Sequence, residues 1–75
     1  MKIYEAAQMV LKDAGRPLPV KDIYEQIISR NLFTFTAKEP LSVLSQTLRK
    51  KSTDNPKADV VLFKKTAPNT YSLAD

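Results

Sequence analysis

The chain has 75 residues, 43% of them apolar and 27% charged, which predicts one folded domain over residues 1–75 and excludes both a second domain and a membrane helix of ~20 apolar residues. It has no cysteine and no histidine, and its eight Asp and Glu residues form no acid–base or magnesium motif, so we expect no enzyme activity and no cofactor. The net charge of +4 favours an anionic partner.

The first predicted element is a helix over residues 3–14. Its apolar residues recur at spacings of three and four, as on one face of a helix: Ile3, Ala7, Val10 and Ala14. Gly15, the single glycine, follows where a left-handed C-terminal cap would lie, and Pro17 prevents the helix from continuing. We therefore expect Gly15 to have a structural role.

A short extended link over residues 16–19 and a second helix over residues 20–30 follow. Two prolines favour extended backbone in the link. The helix is amphipathic, and its apolar stripe is Val20, Ile23 and Ile27. Asn31 is the predicted C-terminal cap, and in the apolar loop after it Phe33 or Phe35 should fold back onto the core.

The third predicted helix opens at Glu39-Pro40, with proline at the first helical position and a carboxylate beside the positive end of the helix dipole. Its predicted core stripe, to which we assign no binding role, is Leu41, Leu44 and Leu48. The opposite face carries hydrogen-bond donors and no acidic residue: Ser42, Ser45, Gln46, Arg49 and Lys50. Residues 52–56 end the helix.

The remaining segment changes to a period of two and predicts a β-hairpin. One strand covers residues 60–65, the loop of four or five residues includes residues 66–69, and the second strand covers residues 70–73. The side chains predicted to face inward are Val61, Phe63, Tyr71 and Leu73. Because a lone hairpin is marginal, it should pack on the helices, with residues 17–19 available as a third strand.

Three helices followed by a hairpin form the winged helix-turn-helix arrangement, an α+β fold. A more specific pattern is formed by residues 15–23, Ile27, Lys38-Glu39-Pro40, Phe63 and the closing Tyr71-Ser72-Leu73. In these positions the chain resembles the HARE-type helix-turn-helix family over nearly its whole length. That family occurs in Asx-like chromatin proteins, in the delta subunit of bacterial RNA polymerase and in restriction endonuclease fusions. The resemblance implies a winged helix active in transcription regulation or restriction-modification.

Two positions depart from the family's pattern. The family usually has threonine before the proline of the third helix, where this chain has Glu39. A carboxylate still caps a helix, but it places a negative charge near the path of an approaching phosphate. The family often has a glycine before the tyrosine of the wing, where this chain has Pro68-Asn69-Thr70. The wing tip of this chain should therefore differ from the family's.

The resemblance and the acid-free helix face together predict a double-stranded DNA-binding module of low sequence specificity. The third helix would enter the major groove, where Arg49 can bond guanine and Gln46 adenine. Ser42 and Ser45, near the helix N-terminus, would approach phosphates or bases. Basic residues of the helix and the wing would contact phosphates: Lys50, Lys57, Lys64 and Lys65. The C-terminal charge excess agrees, since residues 38–75 hold seven Lys or Arg against four Asp or Glu.

Alternatives stay open. The same helix face is also what a solvated amphipathic helix presents, and wing lysines can protect an edge strand from aggregation. The competing function is a protein-interaction module that docks on RNA polymerase, a fused nuclease or another nucleic-acid complex, which exposed Phe33 and Phe35 would indicate. We expect a monomer or weak homodimer without membrane association, cytoplasmic in a bacterium or nuclear in a eukaryote.

Overall fold

The structure is a computed structural model that describes residues 2–52 and 61–74. Wherever the sequence predicted the first or last residue of a helix, the structure agrees to within one residue. Helix α1 spans Ile3–Ala14, α2 spans Val20–Ser29 and α3 spans Pro40–Lys50. At the start of α1 the Lys2 N–H donates to Glu5 Oε1 at 2.8 Å. No helix in the described part of the chain is long and apolar enough to cross a bilayer.

Both predicted helix caps are confirmed. Gly15 has φ 65°, and its N–H donates to the Leu11 carbonyl at 3.0 Å, the single bond of a left-handed cap. Asn31 has φ 55°. Its N–H bonds to the carbonyl of residue 28 and that of Leu32 bonds to residue 27, both at 3.0 Å, which are the two bonds of a Schellman motif. Helices α1 and α2 therefore each end where a residue that tolerates positive φ occurs in the sequence.

The sheet has three antiparallel strands in the order β1-β3-β2. Strand β1 is Leu18–Pro19, β2 is Phe63–Ala67 and β3 is Thr70–Leu73. The use of the proline-rich link as a third strand is confirmed, since β1 pairs with the first half of β3. The three helices and this small sheet form the winged helix-turn-helix, α+β fold that the element order predicts.

The hairpin differs from its prediction in the first strand and the loop. Strand β2 starts at Phe63 and continues to Ala67, and only Pro68 and Asn69 form the turn. The register shifts between Lys65 and Ala67, so the residue between them is an extra one, as in a β-bulge. The bulge lets Ala67 pair with Thr70, which shortens the loop from the predicted four or five residues to two.

The wing turn combines the fixed negative φ of Pro68 with φ 57° at Asn69, the combination typical of a type II turn. Asparagine is one of the few residues that tolerate this left-handed conformation. The Val20 N–H donates to the Asn69 carbonyl at 2.8 Å. This bond ties the tip of the wing to the first residue of α2.

The core lies between the helices and one face of the sheet. Its buried apolar residues come from every element: Ala6, Ala7, Val10, Leu11, Leu18, Val20, Ile23, Ile27, Leu44, Leu48, Phe63 and Tyr71. Leu73 packs against this core, as predicted. Ala14 is exposed in the last turn of α1, although its spacing placed it on the apolar stripe.

Besides Ala14, two residues predicted to be buried are exposed. Val61 is 44% exposed because it precedes the strand, so the pleat that turns Phe63 inward does not extend to it. Leu41 is 43% exposed because it lies in the first turn of α3, where the surroundings are surface hollows beside the start of α2. The buried stripe of α3 therefore contains Leu44 and Leu48 only, both 0% exposed.

The loop after α2 folds back onto the core, as expected. Phe33 and Phe35 are half-buried, with their ring centroids 5.0 Å apart, and the Phe35 ring is 5.2 Å from that of Tyr24. The two phenylalanines are therefore part of a packed aromatic cluster. They do not form the exposed pair that would indicate protein docking.

The end of α3 is joined to the sheet by backbone bonds. The N–H groups of Leu62 and Phe63 both donate to the Lys51 carbonyl, at 2.8 and 3.0 Å. Ser52 is fully buried beside this junction and bridges to Phe63. The helix ends at Lys50, close to the predicted stop, and the rest of that stop, residues 53–56, lies outside the described residues, as does residue 60.

Candidate nucleic-acid interface

The outward face of α3 brings together the five helix residues selected from the sequence. Ser42, Gln46, Arg49 and Lys50 are exposed and Ser45 is half-buried. At 100° per residue they occupy one arc of the helix, opposite the buried Leu44 and flanked by Val43 on one side and by Leu41 and Leu48 on the other. The structure thus presents a continuous hydrogen-bonding surface along α3.

Apart from Glu39 just before α3, the charges of this part of the molecule have one sign. The described segments 40–52 and 61–74 contain five basic residues and no acidic one: Arg49, Lys50, Lys51, Lys64 and Lys65. Acidic residues gather instead around a hollow between α1 and α2, which Asp13, Asp22 and Glu25 line together with Arg30. Arg30 Nη1 donates to Asp13 Oδ2, so its charge is compensated within that hollow. A polyanion would therefore be attracted to the α3 and sheet side.

Lys51 does not belong to the α3 face. Its Nζ lies 4.8 Å from the centroid of the Tyr4 ring, a cation–π contact with α1. Helix geometry also directs residue 51 away from the arc that Arg49 and Ser45 share. Of the three contiguous basic residues, only Arg49 and Lys50 lie on the proposed interface.

A surface hollow of about 300 Å³ lies at the N-terminal end of this face, and we call it the α3 hollow. It brings Ser42 and Ser45 together with Lys21, Leu41 and Asn69; Pro19 and Val20 complete its lining. The arrangement follows from the pairing of β1 with β3, which places the wing turn beside the start of α2. Lys21 and Asn69 were not among the predicted site residues, because their proximity depends on long-range pairing. Leu41 was assigned to the buried stripe of α3.

Glu39 gives the first turn of α3 a negative charge. Its backbone carbonyl accepts the first bond of the helix, from Val43 at 3.2 Å, and its Oε2 accepts a long hydrogen bond from the Ser42 hydroxyl at 3.4 Å. A phosphate at the helix N-terminus would be repelled by this carboxylate, as the sequence suggested. The first turn is thus better suited to base edges, and the phosphate contacts should lie nearer Arg49.

The two wing lysines lie on opposite faces of the sheet, because side chains alternate along a strand. Lys65 pairs with Tyr71 on the side that also carries Phe63. Lys64 pairs with Ser72 on the other side. There it lines a second hollow, which we call the α1 hollow, together with Lys12 and Arg16. The structure thus separates the predicted pair, and the third predicted wing contact, Lys57, lies outside the described residues.

Comparison with known families agrees with this architecture. A model of the HARE-HTH family, described as the helix-turn-helix domain of ASXL proteins and restriction endonucleases among others, matches residues 1–75. No curated protein and no solved structure matches the chain. The matched family is the one that the sequence resembles. The order of helices and strands in the structure is that expected of a helix-turn-helix family.

Proposed function

The chain belongs to the HARE-HTH family, and from that premise we propose that it binds double-stranded DNA through the exposed face of α3. The observation that carries the proposal is the acid-free surface along α3, which lies apart from the acidic hollow between α1 and α2. We propose that the domain acts by binding and not by catalysis. It would serve as a targeting or regulatory module of low sequence specificity.

The proposed binding mode places α3 in the major groove, which is ~12 Å wide and admits a helix. Arg49 is suited to bidentate bonding of guanine, and Gln46 to adenine. Lys50, at the last turn of the helix, is suited to a phosphate, as is Lys21 at the rim of the α3 hollow. Few base contacts beside several phosphate contacts would give binding that tolerates many sequences.

This binding mode assigns Lys64 no contact in the interface, because that residue lies with Lys12 and Arg16 at the α1 hollow. Docking on a protein was the competing hypothesis, and an exposed pair of phenylalanines would have favoured it. Phe33 and Phe35 are half-buried against Tyr24 and the core. The structure therefore offers less support for docking than for DNA binding.

The affinity for a duplex should fall steeply with salt. Because neutralised phosphates release counterions, about three phosphate contacts should weaken binding at least tenfold between ~50 and ~200 mM salt. A fluorescence anisotropy titration of a labelled duplex at both salt concentrations measures this. A chain that binds no duplex even at the lower concentration would contradict the proposal and favour protein docking.

A further inference from the structure

One exposed apolar side chain, Leu41, lies at the edge of the α3 face, beside Ser45. Leu41 is 43% exposed, whereas the two other leucines of the helix are fully buried. It lines the α3 hollow and also a neighbouring hollow formed by Tyr24, Glu39 and Pro40 with Ser42. An exposed leucine between two hollows is accessible to a ligand from both sides.

Resting on the DNA-binding function proposed above, we infer that Leu41 contacts the 5-methyl group of thymine in the major groove. Among the four bases, thymine alone presents an apolar group there, and small apolar protein groups contact it. A leucine on a recognition helix would thus favour sites that contain A·T pairs at the position it reaches. Leu41 would be a specificity-determining residue in an interface otherwise made of sequence-tolerant contacts.

The surroundings of Leu41 fit a base edge better than the DNA backbone. Ser45, one turn further along α3, shares the α3 hollow with Leu41, so the two side chains would face adjacent positions in the groove. The Glu39 carboxylate beside Leu41 disfavours phosphate at this end of the helix. Lys21, on the far rim, is placed to hold the backbone that borders the groove.

The other exposed large apolar residues in the described part of the chain do not share this position. Met9, Ile28 and Val61 lie on α1, on α2 and ahead of β2. None of the three lines the α3 hollow or its neighbour. Met9, which is 40% exposed, therefore provides a matched control for removal of an exposed apolar side chain.

The test compares two DNA duplexes of alternating sequence, which we call the A–T and the A–U duplex. The first contains deoxyadenosine and thymidine, and the second contains deoxyadenosine and deoxyuridine, so that the two differ only in the 5-methyl group. Loss of one buried methyl should weaken binding of the unmodified protein to the A–U duplex about fourfold. Leu41→Ala should bind both duplexes equally and keep its salt dependence. Met9→Ala should keep the about fourfold difference. Thermal melting of each variant verifies that it is folded.

The outcomes separate the inference from the function on which it rests. Equal affinity of the unmodified protein for the two duplexes would overturn the thymine contact and leave DNA binding intact. A preference for the A–T duplex that persists in Leu41→Ala would overturn the role of Leu41. If neither duplex binds at ~50 mM salt, the proposed function fails and the inference fails with it.

Discussion

Replacing both Arg49 and Lys50 with glutamate is expected to weaken duplex binding about a hundredfold or more at ~50 mM salt. The two residues are the exposed basic side chains on the outward face of α3. Lys50 is the proposed phosphate contact of the pair, and each phosphate contact contributes about one unit to the slope of log affinity against log salt, so that slope should fall by about one. Anisotropy titrations at several salt concentrations measure both quantities.

The matched control reverses Lys12 and Arg16, which changes the net charge equally at the end of α1. Because these residues line the α1 hollow, we expect their reversal to alter affinity by a few-fold at most. Equal losses in both variants would mean that net charge, and not α3, governs binding. If binding survives in Arg49→Glu with Lys50→Glu, the interface lies elsewhere.

Glutamates in the last turn of α3 should lower the unfolding free energy by about 0.3–1 kcal/mol each, because they lie at the negative end of the helix dipole. Thermal melting of the double variant measures this loss.

Phe63→Ala should remove much of the stability of the fold. The side chain is fully buried, and its residue joins β2 to β3 and to the end of α3. Truncation of a buried phenylalanine costs about 3–5 kcal/mol. A domain of this length has an unfolding free energy of about 4–11 kcal/mol, so a protein in the lower part of that range would be largely unfolded after the substitution. Urea unfolding followed by circular dichroism measures the loss.

Val61→Ala is the control for this change, two residues earlier in the chain. Val61 is 44% exposed, so its truncation should change the unfolding free energy by no more than about 0.5 kcal/mol. The alternating pattern of the sequence places both residues inward, whereas the structure buries only Phe63. Comparable losses of unfolding free energy in the two variants would show that β2 begins before Phe63.

Features set by local interactions were predictable from the sequence. The helix bounds and the caps at Gly15 and Asn31 depend on residues within one or two turns. The start of α3 likewise depends on a local residue, the proline at its first position. The central strand β3 has the bounds that the alternation of polar and apolar residues predicts. These signals are strong because few residue types adopt positive φ without strain, and because proline, which lacks an N–H, restricts the backbone wherever it occurs.

Features that depend on tertiary contacts were not predictable in this way. The exposure of Leu41 depends on which residues pack against the first turn of α3. The spacing of apolar residues along a helix does not show this. The proximity of Lys21 and Asn69 depends on the pairing of β1 with β3. The separation of Lys64 from Lys65 is different, since it follows from the alternation of a strand and was available in the sequence.

We propose that DNA binds to the α3 face and to the α3 hollow beside it. Two-dimensional ¹H–¹⁵N NMR of the labelled chain during titration with a duplex locates the binding surface residue by residue. We predict that the perturbed backbone signals cluster at the outward residues of α3 and at Lys21 and Asn69. Perturbations centred instead on Lys12, Arg16 and Lys64 at the α1 hollow, or no perturbation at low salt, would contradict it.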